Sequence, residues 1–245
     1  GALGLTFVLV GLIAGVTEFI RNRRNWGAGV FFAMMMCVGM AFGAINMYWI
    51  GTDMATVTPV VRIVQVGASQ SQKATHNRAQ ALERANGNIQ RLFDLASQDN
   101  IPDIVIFPET AYPFVVLKDD VIPLAQQLNR PIIFGANTFN RGGVFNSMVI
   151  TDEAGQVQHI YSKSHLVPFG EYRPLGILPA PVNLMPGNGP ELLSVGDFLF
   201  VPAVCYEVVF SDSLLPRGVG HIHAVVNITN DNWFGNTPGT YQHLD

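Results

Sequence analysis

Polar positions are nearly missing from the first 52 residues. "GALGLTFVLVGLIAGVTEFI", positions 1–20, holds one charged residue, Glu18, and "NWGAGVFFAMMMCVGMAFGAINMYWIGT", positions 25–52, holds none. About 20 helical residues, rising about 1.5 Å each, cross the ~30 Å hydrocarbon core of a bilayer. The pattern predicts two transmembrane helices within residues 1–52, over 1–20 and 26–50, with Trp26, Tyr48 and Trp49 at interfacial positions. A cleaved signal peptide fits less well, because its shorter apolar core ends at small residues and this one ends in Tyr48-Trp49-Ile50. Arg21, Arg23 and Arg24 mark the intervening turn as cytoplasmic, so the chain after about residue 53 is expected outside.

From residue 58 short apolar runs alternate with helix-like segments. "PVVRIVQVG", "DIVIFP", "PIIFGANTF", "FLFVPAVC" and "HAVVNITN" read as strands, and "FNSMVITDEAGQVQHIYS" as a hairpin turning at Asp152–Gly155. "THNRAQALERANGNIQRLFDLASQ" reads as an amphipathic helix with Leu82, Ile89, Leu92, Phe93 and Leu95 towards one face. "VIPLAQQL" and "SDSLLPRG" read as shorter helical pieces. Interleaved strands and helices predict a layered α/β domain over 53–245.

Composition agrees with a membrane part: charged residues are 13% of the 245 and the mean hydropathy is +0.27. A net charge of −4 gives no basic surface for nucleic acid, and two cysteines, Cys37 and Cys205, make no disulfide framework. The missing initial methionine and the stop at "YQHLD" read as a fragment of a larger protein, incomplete at its C-terminus.

Three residues stand where strand ends form crevices in α/β folds: Glu109 after "DIVIF", Lys163 after "HIYS" and Cys205 after "FLFVPAV". A thiolate attacks where a thiol does not, a nearby cation favours it, and a carboxylate in reach can take the proton. Lysine can also stabilise an oxyanion. The three make a complete set for acyl transfer through a thioester, although chemistry alone leaves Cys205 open as a packed hydrophobe and the other two as surface charges. His221 and His223 share a strand face without a third ligand, so no metal site is expected. His165 reads as a loop-ordering residue, and "NIT" at 227–229 as core strand rather than a glycosylation site.

"FPET", "YSKSHLVPFGEYRP", "CYEVVF" and "NITNDNWFG" occur here in the order and wording of the nitrilase superfamily. They most resemble its membrane-anchored branch, the apolipoprotein N-acyltransferases. The resemblance implies an α-β-β-α sandwich joined to transmembrane helices, with Glu109, Lys163 and Cys205 catalytic. It implies supporting or substrate-binding roles for Glu171, Tyr206, Glu207, Trp233 and Phe234, and no cofactor. The implied reaction moves a fatty acyl chain from a phospholipid through a Cys205 thioester to the N-terminal amine of an apolipoprotein's diacylglyceryl-cysteine. The implied setting is the bacterial inner membrane, with a multi-pass monomer whose catalytic domain faces the periplasm. A nitrilase-type hydrolase of a small amide or nitrile is the alternative. Ala74 stands where the family often has tryptophan. Loops containing Leu166, Phe169, Leu175, Ile177, Leu178 and Leu184 are expected to expose apolar side chains around the site.

Overall fold

The computed structural model describes residues 2–22, 26–50, 59–65, 78–98, 102–174, 183–210 and 214–230, apart from 217, 219 and 221 within the last span. The chain divides into two compact units, residues 1–56 and 57–245.

The first unit holds helices α1 (Ala2–Arg21) and α2 (Gly27–Ile50). They run back along one another. A Cβ added at Gly15 would come within 2.6 Å of the Gly29 Cα, so the two backbones touch where both side chains are missing. The Phe7 ring meets Phe32 edge-on at 5.7 Å. Elsewhere α2 is apolar all round and exposes Phe31, Met34, Val38, Met40 and Phe42. A helix of that kind has no solvent face. Among the described residues one stretch, Gly27–Ile45 in α2, is long and apolar enough to cross a membrane.

The second unit stacks helices and two sheets. The five-stranded sheet has the order β1 (Val61–Ile63), β2 (Ile104–Ile106), β3 (Ile132–Asn140), β4 (Gly143–Thr151) and β5 (Val157–Ser162). Its first three strands are parallel and its last two antiparallel. The second sheet joins β6 (Leu193–Val195), β7 (Phe198–Val204) and β8 (Ala224–Ile228).

Strand alternation divides the interior in two. Ile132, Phe134 and Val149 face Leu92 and Ala96 of α3 (Arg78–Ala96) and Leu124 of α4 (Pro123–Leu128). Ile133, Met148, Ile150 and Tyr161 face Phe200, Val204, Val226 and Ile228 of the second sheet. The described residues therefore supply three layers, α-β-β, of the expected sandwich. Leu82, expected on the buried face of α3, is half exposed, because the helix meets the sheet only from Ile89 onwards.

The β4–β5 turn lies at the expected place: the Gly155 and Gln156 N–H groups donate to the Asp152 carbonyl and Oδ1, at 3.1 and 2.9 Å. An unforeseen hairpin joins β3 to β4 through Arg141 and Gly142, whose φ angles of 47° and 78° suit a two-residue turn. Strand β6 was also absent from the sequence reading, being three residues long and held by its pairing to β7.

Candidate active site

Glu109, Lys163 and Cys205 leave the ends of β2, β5 and β7, and all three point into the space between the sheets. The Glu109 turn packs on β3 at Gly135, where an added Cβ would lie 2.5 Å from the Glu109 Cα. Only glycine permits that approach. Lys163 continues β5 by one residue, its N–H donating to the Asn146 carbonyl at 2.8 Å. Met148 pairs with Tyr161, so the period of two puts Asn146 and Lys163 side by side on the same face. Cys205 opens a short 3-10 helix, Cys205–Val209, with a left-handed φ of 57°. That conformation is costly for a residue with a side chain and recurs at functional sites.

The side chains form one hydrogen-bonded cluster. Glu109, 3% exposed, accepts from Asn146 Nδ2 at 2.7 Å on Oε1 and from the Asn230 N–H at 3.2 Å on Oε2. The Cys205 thiol is close enough to this carboxylate and to Lys163 for both charges to act on it. Lys163, 1% exposed, donates from Nζ to Glu171 Oε1 at 2.9 Å. Glu171 Oε1 also accepts from Asn146 Nδ2 at 3.2 Å, and its Oε2 takes the Val167 N–H at 2.8 Å. Glu171 is thus a salt-bridged residue and part of the cluster at once.

Burial pushes Glu109 above the usual carboxylate range, opposed by the Asn146 hydrogen bond and Lys163 and reinforced by Glu171. Burial also pushes the Cys205 thiol up to about 12, with Glu109 adding to the rise and Lys163 working against it. Lys163 spends its short ion pair on Glu171, and the thiol keeps its proton.

Glu207 underpins the cluster. It is 3% exposed and accepts from Ser164 N, Ser164 Oγ, His165 N and Val204 N at 2.7, 2.8, 3.2 and 2.9 Å, and from the Tyr161 hydroxyl at 3.1 Å. One carboxylate therefore ties the loop after Lys163 to the turn that carries Cys205. Burial and the Glu207 charge hold the Tyr161 hydroxyl well above the usual phenol range. His165 stacks on Phe210 at 4.6 Å, and the exposed Tyr206 meets Phe210 edge-on at 5.6 Å.

Asn146 was missed by sequence reasoning. Its only signal is a polar Asn-Ser pair inside the buried run "FNSMVI". Trp233, Phe234, Ala74, His221, Leu175, Ile177 and Leu178 lie outside the described residues. Of the other loop residues Phe169 is exposed, while Leu166 and Leu184 are half-buried. A cavity of about 600 Å³ lined by Thr138, Phe145, Ser162, Met185 and Glu191 includes none of the cluster's side chains. Among the described residues no group of three or more His, Cys, Asp or Glu is placed to hold a metal ion.

This architecture and its sequence have known counterparts. The chain is 32% identical over 273 residues to the apolipoprotein N-acyltransferase of Rhizobium rhizogenes, covering 100% of this chain and 50% of that protein. It is 30% identical over 266 residues to that of Allorhizobium ampelinum, covering 100% and 49%. The chain thus spans about half the length of the curated relatives it matches. XC1258 from Xanthomonas campestris, a solved CN-hydrolase superfamily protein, shares the fold with a TM-score of 0.50 at 20% identity, over 71% of this chain and 66% of that one. A sequence profile of the carbon-nitrogen hydrolase family matches residues 60–244, and the chain belongs to that family.

Proposed function

We propose that the chain is part of a membrane acyltransferase that moves a fatty acyl chain from phospholipid to the N-terminal amine of an apolipoprotein's diacylglyceryl-cysteine. The observation that carries this reading is the buried hydrogen-bonded cluster of Glu109, Asn146, Glu171 and Lys163, whose charges reach Cys205, in a chain similar along its whole length to proteins named apolipoprotein N-acyltransferase. Soluble small-amide chemistry gives no use for α2, whose apolar surface suits lipid. In this reading α1 and α2 are two spans of a multi-pass inner-membrane protein, and the catalytic domain works on the periplasmic side.

The chemistry follows from the residue types gathered in the cluster. Glu109 accepts the thiol proton as the Cys205 sulfur attacks the phospholipid ester carbonyl. The oxyanion that forms is stabilised by Lys163, a contribution worth about 10²–10³ in rate for one good donor. The intermediate collapses by breaking the ester C–O bond, Glu109 returns the proton to the departing alkoxide, and a lysophospholipid leaves. The apolipoprotein amine then attacks the thioester carbonyl and gives a proton to Glu109. The C–S bond breaks, the amide is released, and Glu109 reprotonates the sulfur. Glu171 holds the lysine in place, while Glu207 fixes the two loops that present Lys163 and Cys205.

The test is transfer itself. The full-length protein in phospholipid vesicles is given a peptide with an N-terminal diacylglyceryl-cysteine, and its amide-linked acyl product is measured. The reading requires product from the wild type and none from Cys205→Ser. A wild-type enzyme that releases free fatty acid or ammonia and leaves the peptide amine untouched points to the hydrolase instead.

A further inference from the structure

Asn146 sits on β4, 3% exposed, between two acids from different parts of the chain. Its Nδ2 donates to Glu109 Oε1 at 2.7 Å and to Glu171 Oε1 at 3.2 Å, so one amide nitrogen serves both. Its Oδ1 is buried and has no hydrogen-bond partner among the described residues. Turning the amide over would set that oxygen against two carboxylates. The acids therefore dictate the amide's orientation, at the expense of its own carbonyl.

The geometry points to Asn146 as the positioning residue of the acid–base machinery: it holds Glu109 and Glu171 on either side of one amide and keeps Glu109 an acceptor towards Cys205. This rests on the role proposed above for Glu109. The titratable groups facing Glu109 are Cys205, Lys163 and Glu171. Lys163, Asn146 and the Asn230 N–H favour its ionised form, whereas burial and the Glu171 charge favour the protonated form. Removing Asn146 deletes one of the three favourable partners and leaves the two carboxylates without a shared donor. Glu109 then takes up a proton at higher pH, and a protonated Glu109 cannot accept the thiol proton.

The test uses iodoacetamide, which needs no lipid. Its carbon forms a bond to the Cys205 sulfur, iodide leaves, and the thiol proton passes to Glu109. The rate is followed against pH by mass spectrometry of the Cys205 peptide in the full chain, for wild type, Asn146→Ala and Asn146→Asp. Losing one hydrogen bond to a charged acceptor is expected to move the acid limb up by about one pH unit in Asn146→Ala. Asn146→Asp, similar in size, should move it further by adding a third carboxylate, and circular dichroism of both variants checks that they fold. An acid limb that stays in place in both variants, with only the plateau rate lowered, overturns the inference. Because the probe bypasses lipid, a shifted limb in a protein that transfers no acyl group would remove the proposed function and leave Asn146's role standing. Acyl transfer with an unmoved limb would do the reverse.

Discussion

Lys163 Nζ lies 2.9 Å from Glu171 Oε1, with the lysine 1% and the glutamate 15% exposed. The pair is nearly dry, so each charge depends on the other. Breaking such a pair by removing one partner costs about 3–5 kcal/mol, because the remaining charge is left uncompensated. Glu171→Ala is therefore expected to lower the thermal midpoint of the full protein by several degrees and to weaken the Val167–Glu171 loop, which also loses its Oε2 acceptor. Lys163→Ala should slow Cys205 acylation about 10²–10³-fold, as expected of a lost oxyanion donor. Stopped-time acylation assays on both variants check this, and near-normal turnover by Lys163→Ala would be incompatible with its assigned role.

The thiol pushed up to about 12 makes a pH prediction. Its folded value lies above its unfolded value near 9, so the folded state keeps a proton that the unfolded state releases. The stability this contributes is fully present below about pH 9 and is lost as pH rises towards 12. Cys205→Ala should flatten the alkaline fall of stability in that window. Ultraviolet absorbance of the thiolate offers the direct check: wild type should show no Cys205 thiolate at pH 8, and a group titrating near pH 7 would contradict the picture of an unactivated resting thiol.

Gly135 makes a structural claim open to test. Its β3 backbone touches the Glu109 turn, and a Cβ would fall 2.5 Å from both the Glu109 Cα and the Thr110 N. Neither contact is the flexible end of a side chain, so the strand or the turn must move. Gly135→Ala is expected to cost about 1–3 kcal/mol in stability. It should also slow acylation more than a pure stability loss would, by displacing Glu109. Unfolding curves and single-turnover acylation at saturating lipid separate the two effects.

Glu207 should behave as a brace. Four donors besides the Tyr161 hydroxyl converge on it, and each buried donor left unsatisfied costs about 1–3 kcal/mol. In Glu207→Gln the amide nitrogen must face some of those donors. The expected result is a fall in thermal midpoint together with faster hydrogen exchange at Ser164 and His165. An unchanged exchange pattern would show that another group holds that loop.

How much of this was legible beforehand depended on locality. Strand β2 and the nearby Glu109 were readable because "IVIF" is continuously apolar and an acid follows it two residues later. The Asp152–Gly155 turn was readable because its own residues make its hydrogen bonds. The β3–β4 hairpin was not, since Arg141 in a left-handed conformation carries no usual turn signal. Nor was Asn146, whose importance comes from meeting Glu109 and Glu171, both remote in sequence, across packed strands. Cys205 could be singled out as a nucleophile, but its proton could not be placed, because burial and ion-pair partners decide that.

The central claim is that Cys205 carries the acyl chain. Mass spectrometry of the full-length protein after incubation in phospholipid vesicles tests it most directly. The predicted result is a fatty-acyl adduct on the Cys205 peptide that disappears when a peptide with an N-terminal diacylglyceryl-cysteine is added, and that never forms in Cys205→Ser. A fully acylated peptide product with no adduct at Cys205, or an adduct of the same mass persisting in Cys205→Ser on another residue, would contradict the account.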